Sequence, residues 1–362
     1  MTIRPPAGVS TPALVVDADI LERNIARMAD RARAHGFALR PHAKTHKSPR
    51  LAELQLRAGA TGLSVATLGE AEIFADAGVE DLFIAYPLWV DDAKARRLRS
   101  LAERVTLSVG VDSAEGAAQL GRAVRDGARP LQVLIEIDSG HHRTGVAPDR
   151  AAAVARAATD AGLLVRGVFT FPGHGYGPEA RESAARDEER ALGDAARAIE
   201  GIGLAAPVIS GGSTPTAGTA RAGVVNELRP GVYVFNDATQ VALGSCTVQD
   251  VALAAAATVV SVPAPDRFVL DAGSKILGTD TSSHVPGHGL LPELPGAVVT
   301  SLSEHHAVVT VEPGTVPPRP GSLLAVAPNH VCTAVNLADE LLVTRGGVVV
   351  DRWAVAARGA NV

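Results

Sequence analysis

The chain has 362 residues, a formal net charge of −5 at pH 7 and 46% hydrophobic residues, enough for a large core. A weakly acidic chain gives no indication of nucleic-acid or membrane-surface binding, and this length suits two domains or one barrel with an appended domain. We expect no signal peptide, because the amino-terminal residues show no charged region followed by a long apolar run, and no membrane segment, because no apolar stretch is long enough to span a bilayer. Two cysteines, Cys246 and Cys332, are too few for a disulfide framework, which favours a cytoplasmic location.

From about residue 20 to residue 240, short apolar runs alternate with Ala-, Arg- and Glu-rich stretches of helical pattern. Eight of these runs are strand candidates, at 38–43, 62–67, 82–87, 105–111, 131–138, 164–171, 206–212 and 228–235. Eight strands alternating with helices are typical of an α/β fold, the (β/α)8 barrel of the TIM type. An open doubly wound sheet is the alternative.

After about residue 245 the pattern changes to short Val-rich runs separated by Gly, Pro and Asp, without helical periodicity. This pattern predicts a β-rich second domain. We therefore expect a barrel domain over 1–245 and a β-rich domain over 246–362. An early apolar run at 13–17 precedes the barrel strands and is a candidate to join the β-rich domain instead.

A basic segment, RPHAKTHK, follows the first barrel strand and contains Lys44. Catalytic groups of such barrels gather just past the carboxyl ends of the strands. Crowding by like charges and burial both lower the pKa of a lysine, and a neutral amine can form a Schiff base. A solvated basic surface is the other interpretation of such a run.

Polar groups follow three later strands at the same predicted edge of the barrel. They are Arg143 in EIDSGHHRTG, His174 in FPGHG, and Gly211, Gly212, Ser213 and Thr214 in GGSTPT. Small residues and hydroxyls with free amides at the start of a helix are typical of a phosphate-binding loop. A lysine and a phosphate loop at one edge of a barrel together indicate pyridoxal 5′-phosphate.

The β-rich part contains His330 and Cys332 in the run PNHVC. Residues at i and i+2 of an extended segment point to the same side, and imidazole with thiolate suits zinc. A buried cysteine beside a structural histidine is the alternative. Glu304–His306 and Asp271 are further polar groups that could complete or surround such a metal site.

Together these segments resemble the fold-type III pyridoxal-phosphate enzymes of the D-serine dehydratase and D-threonine aldolase family. The matching segments occur in order over nearly the whole chain: TPALVVD, RPHAKTHKS, EIDSGHHRTGV, FPGHG, GGSTPT, ELRPGVYVFND, VLDAGSK, LSEHH and PNHVCTAVNL. The resemblance implies an alanine-racemase-like barrel, a β-domain, and a homodimer whose active sites lie at the interface.

The same resemblance implies roles for single residues. Lys44 corresponds to the Schiff-base lysine, and Arg143 to the arginine that faces the pyridine nitrogen. Gly212–Thr214 corresponds to the phosphate loop, and Tyr233 to a cofactor contact. His330 and Cys332 correspond to two metal ligands, for which the thiolate favours zinc, with manganese or magnesium as alternatives.

Racemases of this fold use a tyrosine of the β-domain as a second base. This chain has three tyrosines, Tyr86, Tyr176 and Tyr233, and therefore none in the expected β-domain. His330 and Cys332 stand in that domain instead, where a metal would act as a Lewis acid on a substrate hydroxyl.

We therefore expect a metal-assisted lyase acting on small 3-hydroxy-D-amino acids, with Lys44 and His330 as catalytic residues. Dehydration, for example of D-serine, gives a 2-oxo acid and ammonia, and Cys332 favours it because the resembling aldolases carry aspartate there. Retro-aldol cleavage to glycine and an aldehyde is the alternative, and Val335–Leu337 resembles the aldolases. A non-catalytic pyridoxal-phosphate-binding protein is a third interpretation, although such proteins lack a β-domain.

Overall fold

The computed structural model describes residues 2–125, 127–177 and 179–362. The chain divides into two compact units. The barrel unit consists of Ala29–Lys44, Leu51–Gly231 and Ala360–Val362. The β-rich unit consists of Met1–Met28, Thr45–Arg50 and Val232–Gly359, so the short segment directly after Lys44 belongs to it.

The helices and strands follow the predicted alternation through the first two thirds of the chain. The α-helices are α1 (Ala18–Ala34), α2 (Pro49–Arg57), α3 (Leu68–Asp76), α4 (Asp92–Arg104), α5 (Ala114–Val124), α6 (Ala151–Asp160), α7 (Arg181–Glu200), α8 (Thr214–Ala217), α9 (Ala238–Ala242), α10 (Ser274–Leu277) and α11 (Val331–Leu337). The strands are β1 (Ala13–Asp17), β2 (Ala38–Leu39), β3 (Leu63–Val65), β4 (Asp81–Pro87), β5 (Thr106–Val111), β6 (Gln132–Glu136), β7 (Leu164–Phe169), β8 (Val208–Gly211), β9 (Glu227–Leu228), β10 (Leu253–Ala264), β11 (Arg267–Leu270), β12 (Gly289–Leu290), β13 (Val298–Leu302), β14 (Ala307–Thr310), β15 (Leu323–Pro328), β16 (Glu340–Arg345) and β17 (Val348–Ala354).

Strands β2 to β9 form one sheet in the order β2-β9-β8-β7-β6-β5-β4-β3, and all of its ladders are parallel. The seam between β2 and β3 contains an isolated parallel bridge between His42 and Ser64. At this seam the Ser64 N–H also donates to the carbonyl of Pro41 at 2.8 Å. The predicted TIM-like barrel is confirmed, and the alternative of an open doubly wound sheet is wrong.

Aromatic rings fill part of the barrel interior. Phe83 and Phe169 pack edge to face with their centroids 5.0 Å apart, and Leu134 completes this buried cluster. The buried guanidinium of Arg229 lies 5.5 and 5.2 Å from the two ring centroids and donates to Ser210 Oγ at 2.9 Å. Contacts with aromatic faces and a hydroxyl acceptor make this buried cation tolerable.

The β-rich unit is built on a sheet of order β13-β14-β11-β10-β1-β16-β17, with β15 paired to β10 and β12. Strand β1 lies antiparallel to β10 and parallel to β16, with Val15 opposite Ala254 and Leu342. The predicted β-rich domain is confirmed, and the early run 13–17 is a strand of its sheet. The expectation that helices end at residue 245 is wrong, because α10 and α11 occur there. Seven or fewer residues are too few to show a helical period clearly.

In the ranges that the structure describes, no α-helix is both long enough and apolar enough to cross a membrane.

Candidate active site

Lys44 and Arg143 lie over one aromatic ring of the barrel unit. Lys44 occupies a 3-10 helix, Ala43–Thr45, after β2, and its Nζ is 5.7 Å from the centroid of Phe171. The guanidinium carbon of Arg143 is 5.2 Å from the same centroid. Phe171 follows β7 and Arg143 follows β6, so these groups meet at the carboxyl edge of the strands. Phe171 is not among the predicted site residues, although it is the first residue of the FPGHG segment.

Arg40 contributes less to the crowding of Lys44 than the basic segment suggests. Its guanidinium forms ion pairs with Asp81 at 2.7 Å and with Glu227 at 2.8 Å. Because Asp81 begins β4 and Glu227 begins β9, the arginine ties together three strands of the barrel wall. Two carboxylates balance its charge, which weakens its repulsion of a neighbouring ammonium group.

The loops that follow β6 and β7 interlock through two contacts between a histidine and a glycine. A Cβ on Gly173 would lie 2.5 Å from the ring of His141, and a Cβ on Gly140 would lie 3.2 Å from the ring of His174. His174 Nε2 is also 3.5 Å from Asp187 Oδ2 on α7. The two glycines therefore allow the loops to approach closely. A cofactor contact by His174 stays a prediction.

Two carboxyl groups support the loop that carries Arg143. Burial acts to raise the pKa of Asp138, but hydrogen bonds from two amides of the loop and from His142 lower it below its usual value. Burial raises the pKa of Glu136, which accepts a hydrogen bond from Thr144 Oγ1 at 2.8 Å. Arg143 is a nearby cation that stabilises the ionised form of Glu136. The hydrogen bonds to Asp138 and Glu136 therefore fix the loop that carries Arg143 at the barrel edge.

The predicted phosphate loop follows β8, but two of its amides are used within the protein. The Gly212 N–H donates to Glu188 Oε1 at 2.5 Å. The Ser213 N–H donates to Thr216 Oγ1 at 2.9 Å, while Ser213 Oγ accepts from the Thr216 N–H in a capping box. The prediction of free amides is therefore wrong for these two residues. Gly212 has φ of +80°, a conformation that favours glycine.

Tyr233 is the one predicted cofactor residue that lies outside the barrel unit. It is buried in a 3-10 helix, Val232–Val234, at the start of the third segment of the β-rich unit. Its role as a cofactor contact stays a prediction.

The predicted metal ligands meet at the beginning of α11 in the β-rich unit. His330 is the residue before the helix, with an extended backbone, and Cys332 is the second helical residue. The prediction of one extended segment is therefore wrong, although the two side chains still interact. The negative charge of Cys332 raises the pKa of His330 to about 11 against the effect of burial. Cys332 Sγ lies 3.3 Å from Thr45 Oγ1, and Thr45 directly follows Lys44 in the chain.

Asp237 is a buried carboxylate that the sequence analysis missed. Its Oδ2 lies 3.5 Å from His330 Nδ1 and accepts the Val331 N–H at 3.2 Å. Its Oδ1 accepts the Gln240 N–H at 2.9 Å and so caps α9. A carboxylate on one imidazole nitrogen orients the other nitrogen for a metal. Asp237 ends the FND segment after Tyr233, but no histidine lies near it in the sequence, so its contact with His330 could not be predicted.

The other polar groups of the β-rich unit do not complete a metal site. Among the described residues, no group of three or more His, Cys, Asp or Glu side chains is arranged to hold a metal ion. Glu304 and His305 approach Lys275 at 3.6 and 3.5 Å, and Asp271 accepts a hydrogen bond from Thr11 Oγ1 at 2.5 Å. The expectation that these residues supply further ligands is not met, which leaves the pair at the start of α11.

Comparison with protein families gives two matches along the chain. The model "Alanine racemase, N-terminal domain" matches residues 16–239, and "Putative serine dehydratase domain" matches residues 252–344. The chain belongs to the fold-type III pyridoxal-phosphate family of D-serine dehydratases and D-threonine aldolases. The predicted family is thus confirmed, and the second domain speaks against a single-domain, non-catalytic member.

Two relatives of this family span nearly the whole chain. D-threonine aldolase from Arthrobacter sp is 37% identical over 98% of this chain and 94% of its own length. D-threo-3-hydroxyaspartate dehydratase from Delftia sp. (strain HT23) is 37% identical over 90% of this chain and 91% of its own length. Both are lyases, which confirms the predicted enzyme class.

Solved structures of D-threo-3-hydroxyaspartate dehydratase resemble this chain closely. A mutant with a histidine replaced by alanine gives a TM-score of 0.89 at 33% identity, over 97% of this chain and 96% of that one. A mutant with a cysteine replaced by alanine, in the metal-free form, gives a TM-score of 0.88 at 34% identity, over 96% and 97%.

Proposed function

We propose that the protein is a pyridoxal 5′-phosphate- and divalent-metal-dependent lyase that dehydrates 3-hydroxy-D-amino acids. The observation that carries this proposal is the convergence of His330, Cys332 and Asp237 at the start of α11. The chain has no tyrosine after Tyr233, and the two predicted metal ligands lie in the domain in which a racemase would keep its second base.

The barrel unit offers groups that suit pyridoxal phosphate. Lys44 and Arg143 approach the same phenylalanine ring, as an amine for the aldehyde and a cation for the ring nitrogen. Gly211 and Gly212 place no side chain in the loop that we assign to the phosphate. Once bound, the cofactor supplies an electron sink for charge that develops at Cα of the substrate.

In this proposal Lys44 has two tasks at its Nζ atom. It would hold the cofactor, and Nζ would take the proton from Cα of the substrate. Arg143 donates no proton to the ring nitrogen, because a guanidinium keeps its proton in proteins. An unprotonated ring is a weaker electron sink, which favours prompt loss of a leaving group over racemisation.

His330 and Cys332 would hold the divalent ion, and Asp237 would fix the orientation of the imidazole. A nitrogen and sulfur donor set suits zinc better than magnesium, and manganese is the other candidate. The ion supplies Lewis acidity at the 3-hydroxyl of the substrate. With two protein ligands, positions remain for water and substrate, as a catalytic site requires.

Two relatives bear on the choice between dehydration and retro-aldol cleavage. In D-threo-3-hydroxyaspartate dehydratase the mutated histidine and cysteine lie two positions apart, and the cysteine mutant is metal-free. His330 and Cys332 have the same spacing, whereas the resembling aldolases are expected to carry aspartate at the second position. Retro-aldol cleavage is the second candidate, because D-threonine aldolase is 37% identical over 98% of this chain.

Because of its family membership, we also propose that the protein is a homodimer with active sites at the subunit interface. A cytoplasmic location also belongs to the proposal, since no disulfide joins the two cysteines of the chain.

Product analysis tests the reaction type. The purified protein is loaded with pyridoxal phosphate and zinc, or in parallel with manganese or magnesium, and incubated with D-serine, D-threonine and D-threo-3-hydroxyaspartate. Dehydration gives equal amounts of ammonia and a 2-oxo acid, whereas retro-aldol cleavage gives equal amounts of glycine and an aldehyde. The L-isomers and the Lys44→Ala variant serve as controls. Absence of both product pairs from the loaded wild type would refute the lyase proposal.

A further inference from the structure

Glu188 is a buried carboxyl group that the proposed chemistry does not use. It lies on α7, is 4% exposed, and accepts the Gly212 N–H at 2.5 Å through Oε1. The sequence around it, DEER, has the composition of a solvated helix face. A carboxyl group is costly to bury unless it makes a specific hydrogen bond or ion pair. The hydrogen bond from the Gly212 N–H therefore indicates a structural role for Glu188.

The carboxyl group packs directly against the backbone of the loop after β8. A Cβ on Gly211 would lie 2.3 Å from Glu188 Oε1 and 2.8 Å from its Cδ. A Cβ on the next residue, Gly212, would lie 2.9 Å from Leu228 Cδ2 of strand β9. The two glycines are therefore held between the α7 carboxyl group and strand β9, with no room for side chains.

Other polar groups of the loop also have hydrogen-bond partners. Ser213 and Thr216 exchange hydrogen bonds in the capping box, and the Arg229 N–H donates to the Gly211 carbonyl at 2.8 Å. The Gly212 amide is thus the point at which α7 holds the loop. Burial raises the pKa of Glu188 to about 7, while Arg229 favours its ionised form, so the group accepts the amide either as a carboxylate or through the carbonyl oxygen of a carboxylic acid.

We propose that Glu188 is a positioning residue for the cofactor phosphate: by holding the Gly212 amide it keeps the loop in the conformation that receives the phosphate. The inference rests on the proposed function, which assigns Gly211–Thr214 to that phosphate. Glu188 acts through the loop and does not itself touch the cofactor. Its loss is therefore expected to weaken binding of the phosphate group more than binding of the pyridine ring.

Two ligands that differ only in the phosphate test this role. Apoproteins of the wild type, Glu188→Gln and Glu188→Leu are titrated with pyridoxal phosphate and with pyridoxal, and each Kd is measured by equilibrium dialysis. Glu188→Leu is expected to weaken the binding of pyridoxal phosphate about tenfold or more, and that of pyridoxal by less than about twofold. The reason is that the buried Gly212 N–H loses its acceptor, which distorts the loop. Glu188→Gln is expected to stay within about threefold, since its Oε1 accepts the same N–H.

The next residue offers a matched control. Glu189 accepts the N–H groups of Val224 and Val225, so Glu189→Leu removes a similar clamp on a different loop. It is expected to change both affinities equally, or neither. If Glu188→Leu weakens the binding of both ligands equally, or of neither, the proposed role of Glu188 is wrong. The proposed function would still stand as long as the wild type binds pyridoxal phosphate. If the wild type binds no pyridoxal phosphate, both fail.

A second pair of variants covers the case in which Glu188→Leu does not fold. In Gly211→Ala the added Cβ pushes against Glu188 Oε1, and the same selective loss of pyridoxal phosphate is expected. Gly218→Ala lies just after the same loop, but its Cβ would meet only Pro215 O at 3.8 Å. That variant is expected to bind both ligands like the wild type. Equal affinities for Gly211→Ala and Gly218→Ala would contradict the role of Glu188.

Discussion

Asp237 Oδ2 lies 3.5 Å from His330 Nδ1, and the Asp237 side chain is completely buried. A carboxylate in this position fixes the ring orientation of a metal-binding histidine. We predict that Asp237→Asn lowers the zinc affinity about 10- to 100-fold, measured by competition with a chelator. Cofactor absorbance should change little, because the predicted cofactor residues other than Tyr233 belong to the barrel unit.

Asp339→Asn is a suitable control for this experiment, since Asp339 lies in the same unit and forms an exposed ion pair with Arg358. Its zinc affinity should equal that of the wild type. Unchanged zinc affinity in Asp237→Asn would show that the contact with His330 has no role in metal binding.

Lys44→Ala should abolish covalent attachment of the cofactor. The reason is that Lys44 is the lysine that follows a barrel strand and approaches Phe171. The measurement is borohydride reduction of the loaded protein, followed by mass analysis of its peptides. Lys94→Ala changes a lysine on α4 whose Nζ donates to the Trp89 carbonyl, and this variant should be labelled like the wild type. Label on another lysine in Lys44→Ala would disprove the assignment.

Racemisation of D-alanine should be absent or marginal compared with lyase turnover. Tyr233 is the predicted cofactor contact, and the chain after it contains no tyrosine, so the β-rich unit offers no other tyrosine as the second base of the racemase mechanism. Chiral chromatography of D-alanine after incubation with the loaded enzyme measures this directly. A rate of L-alanine formation comparable with lyase turnover would contradict the prediction.

Glu188 should make stability depend on pH near neutrality. Burial raises its pKa from 4.5 to about 7, so the protonated form stabilises the fold at low pH and this contribution is lost as the pH rises through 7. Relative to Glu188→Gln, we expect the free energy of unfolding of the wild type to fall by about 2–3 kcal/mol between pH 5 and pH 8. Urea unfolding of both proteins at several pH values measures this difference. Parallel pH profiles would show that Glu188 titrates normally.

The sequence predicted the barrel well because each strand is a short apolar run of fixed period, and such runs can be recognised locally. It predicted the ends of β9 poorly. The apolar run at 228–235 suggested one long strand, but Pro230 and Gly231 interrupt it, and β9 ends at Leu228. The residues after this interruption form a 3-10 helix, Val232–Val234.

The supporting residues of the site were beyond sequence reasoning for a different reason. Glu188 and Asp237 are acidic residues in polar surroundings, which a pattern of burial assigns to the surface. Both are buried and contact residues distant in sequence, Glu188 the Gly212 amide and Asp237 the side chain of His330 and the Val331 amide. Sequence motifs predicted the residues that carry the chemistry. The residues that hold them in place, such as Glu188 and Asp237, could be identified only from their contacts in the folded chain.

The insertion of β1 between β10 and β16 has a consequence for folding during synthesis. Thr11, just before β1, hydrogen bonds with Thr258, 247 residues later, and the Val16 carbonyl accepts from Thr344, 328 residues later. Strand β1 therefore has no native strand partner until β10 has been made, and its other edge stays unpaired until β16 has been made. Such distant pairing slows folding and leaves a strand edge open to wrong partners. Truncation of the last strands should consequently leave β1 unpaired on one side, and aggregation of nascent chains is the expected result.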